Sequence, residues 1–278
     1  MDLKELVKLA LLEDIGKRDI TSISTIPAGL SCKAIIISKE AGVLAGIDAA
    51  KEAFKQAGKT RFSSKIKDGQ NLKKGSVIAS VAGPARGILA AERIALNLLQ
   101  KLSGIATQTS RYSKMIKGTG AILLDTRKTT PLFRKLEKDA VACGGGTNHR
   151  MGLYDSILIK DNHITLIKDI NSAIKSAKKY GKVEIEAKNI PEVKKFLLAG
   201  ADRILLDNMG IKALKASVRI IKKWNMKNKK SVKTEASGGI NINNIRSVAK
   251  TGVDYISVGA LTHSAKALDI SLKIVKRP

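Results

Sequence analysis

From residue 121 onward, short apolar runs rich in β-branched residues alternate with longer segments whose apolar residues recur every three or four positions. The runs are AILLDT, DSILIKDN, VEIEA, RILLDN, KTEASGG and DYISVGA. Strands covered on both faces read as continuous apolar runs, so this alternation predicts parallel strands joined by crossover helices. Residues 165–181 and 241–252 predict two of those helices, the second opened by Asn residues suited to an N-cap. No Gly-x-Gly-x-x-Gly fingerprint follows the first strand, which favours a barrel over a doubly wound dinucleotide fold.

The first hundred residues read differently. They predict an opening helix over Leu3 to Glu13, a β-rich run over 34–46, a short helix near Ala49 to Gln56, and a turn and strand within 67–83. A long helical pattern starts at Ala90. The expectation is an α+β domain over residues 1–105 and a barrel domain over 106–278, with a return of the C-terminal tail to the first domain left open.

A length of 278 residues sits near the limit for one core, in keeping with a large α/β unit plus an accessory domain. A hydrophobic content of 44% and a charged fraction of 27% exclude a disordered chain. No run approaches the ~20 apolar residues of a membrane span, so a cytoplasmic protein is expected. Cys32 and Cys143 lie far apart without metal-ligand spacing and read as buried small residues. The net charge of +27 reads either as a Lys-rich solvated surface or as a field that gathers anionic ligands, whether small polyanionic substrates or nucleic acid. With 3% aromatic residues and no recognition-helix pattern, nucleic acid is not the expected partner.

The strand ends carry the chemistry. They read Asp125-Thr126-Arg127-Lys128, Lys160-Asp161-Asn162-His163, Glu184 and Glu186, Asp207-Asn208, Glu235-Ala236-Ser237-Gly238-Gly239, and Gly259. In a parallel barrel such ends converge on one rim, where active sites sit. Arg127, Lys128, Arg150 and Lys160, with His149 beside them, would bring four cations to that rim and imply a substrate with several carboxylates or phosphates. Glu184 and Glu186 share a strand face. With Asp207 they could hold magnesium through water, accept bonds from sugar hydroxyls, or merely fill the barrel by pairing with Lys128 and Lys160. Ser237-Gly238-Gly239, expected just before a helix, and Val258-Gly259-Ala260 would offer bare backbone N–H groups to a phosphate. Gly144-Gly145-Gly146 reads either as a flexible linker or as a close backbone approach to ligand.

Together these segments resemble the nicotinate-nucleotide pyrophosphorylase (carboxylating) family, also called quinolinate phosphoribosyltransferase. The matching segments are GKRDITS (16–22), AERIALNLLQKLSGIAT (91–107), DTRKTTP (125–131), GGGTNHRMGLYDSILIKDNH (144–163), VEIEAKN (183–189), LLDNM (205–209), EASGGI (235–240) and DYISVGALTHSA (254–265). The resemblance covers almost the whole chain. Two departures stand out: Leu132-Phe133 where the family commonly has Gly-Leu, and Ala187 where a branched residue is usual.

The resemblance implies an N-terminal α/β sandwich domain and a C-terminal incomplete parallel α/β barrel of the type II phosphoribosyltransferase kind. It implies magnesium-dependent phosphoribosyl transfer from phosphoribosyl pyrophosphate to quinolinate with decarboxylation, and a homodimer, or larger homo-oligomer, with shared active sites. Arg93 would reach the partner's site. Arg127, His149, Arg150 and Lys160 would clasp quinolinate, Thr126 would join the substrate contacts, and Lys128 would stand between quinolinate and diphosphate. Glu186 and Asp207 would hold ribose hydroxyls or magnesium. The turns Ser237-Gly238-Gly239 and Val258-Gly259-Ala260 would take the 5-phosphate. Lys128, Lys160, Glu186 and Asp207 are the expected catalytic groups. The rivals are a pyrophosphorylase-like protein of molybdenum-transport operons and a nucleic-acid binder, both disfavoured by the intact cation and carboxylate sets.

Overall fold

The computed structural model describes residues 2–276. The chain divides into two compact units, one of residues 1–110, 130–145 and 264–278, the other of 111–129 and 146–263. The first change of unit falls at 110–111, close to the boundary expected after residue 105, and the C-terminal segment from 264 groups with the first unit, as do residues 130–145.

The first unit holds a four-stranded antiparallel sheet in the order Ile270–Lys276, Ser31–Ser38, Val77–Pro84, Arg61–Ser63. Along Ser31–Ser38 alternate residues are buried, so Cys32, Ala34 and Ile36 face one core, as a strand with one covered face requires. Against them pack Leu6, Val7 and Leu11 of the helix Leu3–Ile15, Phe54 of Ile47–Ala57, and Ile88, Leu96 and Leu99 of Ala85–Ile116. The first of these helices is started by Asp2, whose carboxylate accepts the Glu5 N–H at 2.8 Å. The helix Ile20–Thr25, the strand Arg61–Ser63 and the helix Arg134–Cys143 have no counterpart in the sequence reading.

Gly144 ends the helix Arg134–Cys143. A Cβ there would run into the Ala106 carbonyl and the Thr109 side chain, so this glycine serves helix packing within the first unit rather than the approach of a ligand. Cys32 is buried and Cys143 only half-buried; both thiols are free, and burial pushes both pKa values up.

The second unit is built on six parallel strands, all of them at the predicted runs: Ile122–Leu124, Ile157–Ile159, Val183–Ala187, Arg203–Asp207, Lys233–Ser237 and Tyr255–Ser257. They are called first to sixth below. The sheet runs first, sixth, fifth, fourth, third, second. Sixth thus pairs with first, while first and second do not pair. In that gap Thr147 forms one parallel bridge to Leu124, its N–H donating to the Leu123 carbonyl at 2.8 Å. The result is an incomplete barrel. All five residues of the third strand are buried, with Glu184 and Glu186 on the face opposite Val183, Ile185 and Ala187. Among the described residues no helix is long and apolar enough to cross a membrane.

Candidate active site

Two cavities open on the second unit. The larger, about 960 Å³, lies at the N-terminal ends of the strands and is lined by Arg203, Lys233, Tyr255 and Glu184 among others. The smaller, about 590 Å³, lies at the C-terminal ends, where a parallel barrel collects its loops. Charge converges on the smaller one. Its wall contains Thr126, Arg127, Lys128, His149, Arg150, Lys160, Glu186, Asp207, Ser237, Gly238, Gly239, Val258, Gly259 and Ala260. Arg93 belongs to the first unit, on the exposed side of the helix Ala85–Ile116, and does not line this cavity. Among the described residues Arg93 joins no ion pair; Glu137, a plausible partner within the chain, is fully buried and bonded to Lys101 at 3.1 Å.

Local bonds fix the backbone at Lys128 and Lys160 and the side chain of Arg150. The Lys128 N–H donates to Thr126 Oγ1 at 3.1 Å, and the Lys128 carbonyl accepts the Thr262 hydroxyl at 2.7 Å, which ties the turn after the first strand to the loop after the sixth. Arg150 is 8% exposed and donates from Nη1 to the Ser156 carbonyl at 3.1 Å. Burial, and then Arg127 nearby, push its pKa down, although a guanidinium stays charged at neutral pH. Lys160, exposed, caps the short helix Asp161–Leu166, and its N–H donates to His163 Nδ1 at 3.0 Å.

Facing the cations are Glu186 and Asp207. Burial first, and the Asp207 charge second, raise the Glu186 pKa, while Lys160 and Lys188 pull it down. No ion pair joins Glu186 to Lys128 or Lys160 among the described residues, so it is not neutralised as filler would be. Asp207 ends the fourth strand and accepts the Asn208 side-chain amide at 3.1 Å. Asn208 has φ +51°, a left-handed conformation that Asn tolerates, and its N–H donates to the Ser237 carbonyl at 2.9 Å.

The glycine turns follow on neighbouring strands. Gly238 has φ +87° and a Cβ there would collide with the Asn208 side chain, so only glycine fits. Gly239 has φ +61°. The turn does not lead straight into a helix, as expected from sequence, because residues 240–244 intervene before Ile245–Ala249. Asn244 holds the N-cap position, yet its side chain bonds the Asn241 N–H and the Gly239 carbonyl instead of capping. A Cβ on Gly259 would lie 3.0 Å from the Lys128 side chain and 3.2 Å from His263 Nε2. His263, Asn208, Asp161 and Glu235 also line the cavity; all stand at strand ends or in quoted segments, but nothing in their spacing singled them out.

Glu184 does not join Glu186. It lies deeper, where Glu184 Oε2 and Glu235 Oε2 meet His149 Nε2 at 3.3 and 3.4 Å. Burial opposes a charge on His149, but the two carboxylates outweigh it and raise its pKa to about 9. The Arg150 N–H, however, donates to His149 Nδ1 at 2.7 Å, which requires a lone pair there. A second ring proton would set two N–H groups head to head at that distance, so while this contact holds the ring keeps its one proton on Nε2, against the pull of the two carboxylates towards the charged form. These three side chains are close enough to suggest a metal centre. Two features oppose it: the proton on Nε2, and the Arg203 guanidinium at 3.1 Å from Glu235 and 3.7 Å from Glu184, which already balances the carboxylates. Glu186 and Asp207 fit magnesium better. They are a like-charged oxygen pair on a cavity wall, and magnesium keeps waters while bridging one or two carboxylates to substrate phosphates.

Fold and cavity together define a parallel α/β-barrel enzyme whose strand-end loops are built for a polyanionic substrate. More narrowly, the chain belongs to the quinolinate phosphoribosyl transferase family: residues 105–273 match its C-terminal domain and residues 19–103 its N-terminal domain. It is 44% identical, over 99% of its own length and 94% of the relative's, to a probable nicotinate-nucleotide pyrophosphorylase [carboxylating] of Bacillus subtilis. It is 41% identical to the chloroplastic nicotinate-nucleotide pyrophosphorylase [carboxylating] of Oryza sativa, over 98% of this chain and 78% of that one. Among solved structures, the nicotinate-nucleotide pyrophosphorylase of Francisella tularensis superposes with a TM-score of 0.90 at 40% identity, covering 98% of this chain and 96% of that chain.

Proposed function

We infer that this protein transfers the phosphoribosyl group of phosphoribosyl pyrophosphate to the ring nitrogen of quinolinate and releases the 2-carboxylate as carbon dioxide. The products are nicotinate mononucleotide and diphosphate, a step of de novo NAD synthesis. One observation carries the reading: Arg127, Lys128, Arg150 and Lys160 share a cavity with Glu186 and Asp207, and glycine turns at the ends of two neighbouring strands edge it. Family membership supports it independently.

The chemistry follows from the charges. Diphosphate leaves C1 of the ribose as the pyridine nitrogen forms the new C–N bond, and the sugar carbon becomes oxocarbenium-like between the two events. Carboxylates beside the sugar and cations beside the leaving group stabilise that charge separation more than they stabilise the ground state. Quinolinate carries two adjacent carboxylates that repel each other, and Arg127 and Arg150 with Lys160 can hold both. Nicotinate would leave one cation unmatched, and an unpaired buried charge is the basis of discrimination. Once the nitrogen carries ribose, the pyridinium takes up the electron pair left at C2 when carbon dioxide departs, and that carbon then gains a proton.

Glu186 and Asp207 would hold magnesium through water, where the ion would offset diphosphate charge. Arg93, exposed and outside any ion pair among the described residues, supports a homodimer in which it reaches the partner's cavity. The deciding experiment incubates the protein with quinolinate, phosphoribosyl pyrophosphate and magnesium and follows diphosphate and carbon dioxide. Release of both, dependent on both substrates, is expected; salt-sensitive nucleic-acid binding without turnover would overturn the reading.

A further inference from the structure

Beneath the cavity lies a buried ion network whose one guanidinium touches neither cavity cation nor glycine turn. Arg203 begins the fourth strand, and its Nη1 approaches Glu235 Oε2 at 3.1 Å and Glu184 Oε2 at 3.7 Å. Its guanidinium lies 4.2 Å over the Tyr255 ring, which fixes the plane of the fork. The same two carboxylate oxygens meet His149 Nε2. Glu235 is 0% exposed and Glu184 5%, so water cannot stand in for either partner. Burial first, and the Glu235 charge with it, disfavour a charge on Glu184, and the Arg203 guanidinium is the group beside both carboxylates that stays charged at any working pH. Both approaches come from the one Nη1, which the stacking of the guanidinium plane on Tyr255 holds in place; an ammonium carries the charge without a plane to stack.

The ring so held is the one whose Nδ1 accepts the Arg150 N–H at 2.7 Å, while the preceding N–H, that of His149 itself, donates to Asp125 Oδ1 at 2.8 Å. Side-chain and backbone bonds thus fix the two residues from opposite sides. Arg203 does not line the cavity at the strand C-termini. We propose that Arg203 is a positioning residue which, through Glu235 and Glu184, orients the His149 ring and with it the Arg150 end of the carboxylate clamp. The inference rests on the reading of that cavity as a quinolinate site.

Three proteins test it: Arg203→Lys, Arg203→Met, and the double variant Arg203→Met with Glu235→Gln, which removes both charges together and keeps the fold should the single Met variant not fold. Each is measured for the KM of quinolinate, the KM of phosphoribosyl pyrophosphate and kcat. The ¹⁵N signals of the imidazoles are recorded in parallel and assigned with His149→Gln. The wild-type ring should report a proton on Nε2. The two Met proteins should raise the quinolinate KM about tenfold or more, as a misplaced binding group does, while the KM of phosphoribosyl pyrophosphate moves by about twofold or less. Their His149 signals should shift, and Arg203→Lys should recover part of both effects. Equal losses in both KM values and kcat, or an unchanged quinolinate KM with unchanged His149 signals, would overturn the proposal and leave Arg203 a packing residue. If the wild type turns over no quinolinate, it is the reading of the site that fails. The ring spectra then decide on Arg203 alone: shifted signals in the variants sustain it, unchanged signals end it.

Discussion

Arg150→Ala tests the carboxylate clamp at its most buried member. Arg150 is 8% exposed, lines the cavity, and donates one guanidinium N–H to the Ser156 carbonyl. Losing a charge-assisted pair to a substrate carboxylate costs roughly 1.5–3 kcal/mol, so the quinolinate Kd should rise about tenfold to 150-fold. Arg127→Ala should do the same. The pair adds a second, sharper expectation. Arg127 depresses the Arg150 pKa, so the two cations repel in the free protein and a dianion relieves that repulsion. Either single variant forfeits the relief, but it can be lost only once, so the double variant should lose less affinity than the two single losses added together. Isothermal titration of quinolinate into the four proteins measures the cycle. An unchanged Kd in both single variants refutes the clamp, and a double variant that loses the full sum refutes the coupling between the two guanidiniums.

Five other outcomes are expected. Glu186→Gln and Asp207→Asn should bind quinolinate yet lose turnover and its magnesium dependence, and wild-type rates in both would make the two carboxylates mere filler. The raised Glu186 pKa means the folded protein binds more protons there than the unfolded chain, so the wild type loses stability as pH climbs from the ordinary carboxylate range through the raised value; the Gln variant lacks that loss, and its advantage in thermal denaturation should grow from acid towards neutral pH. Gly238→Ala should weaken phosphoribosyl pyrophosphate binding with little effect on quinolinate, because the turn must move off Asn208. Leu132 has φ +66°, so Leu132→Gly should trade left-handed strain of about 1–2 kcal/mol for a smaller entropic cost and gain about 0.5 kcal/mol, seen as a slightly higher Tm. Mixing inactive Arg93→Ala and Lys160→Ala proteins should restore activity through hybrid dimers, each with one intact site, whereas no recovery despite demonstrated subunit exchange would make every chain self-sufficient.

All six barrel strands were legible because short, mostly apolar runs ending in polar or small residues alternate with helical segments, and that alternation, more than any one run such as Lys233–Ser237, points to parallel strands. The cavity wall was legible for the same reason, since strand polarity fixes which end of a parallel sheet gathers the loops. The interleaving of the units was not, because residues 130–145 carry no local signal of the segments they pack against. Leu132 shows the complementary limit. Its left-handed φ stands where the resembled family commonly has Gly, yet a leucine in a sequence announces no such backbone.

Glu184 shows what alternation cannot resolve. A period of two puts it on the same face as Glu186, but the pair are roughly 6.6 Å apart along the strand, enough to separate the cavity wall from the layer below it. Depth, not face, divides their chemistry. At the upper level a carboxylate meets Asp207 and the open cavity, and its pKa rises through burial and then the Asp207 charge. At the lower level Glu184 meets an imidazole N–H and a guanidinium, and serves as an anchor. Arg203 escapes a reading of strand ends because it begins its strand, and Glu235, though counted among the strand ends, lies two residues before the end of its own. The cavity at the top of the barrel therefore stands on residues that the lower halves of the strands supply, and their roles appear only when the strands are set side by side in register.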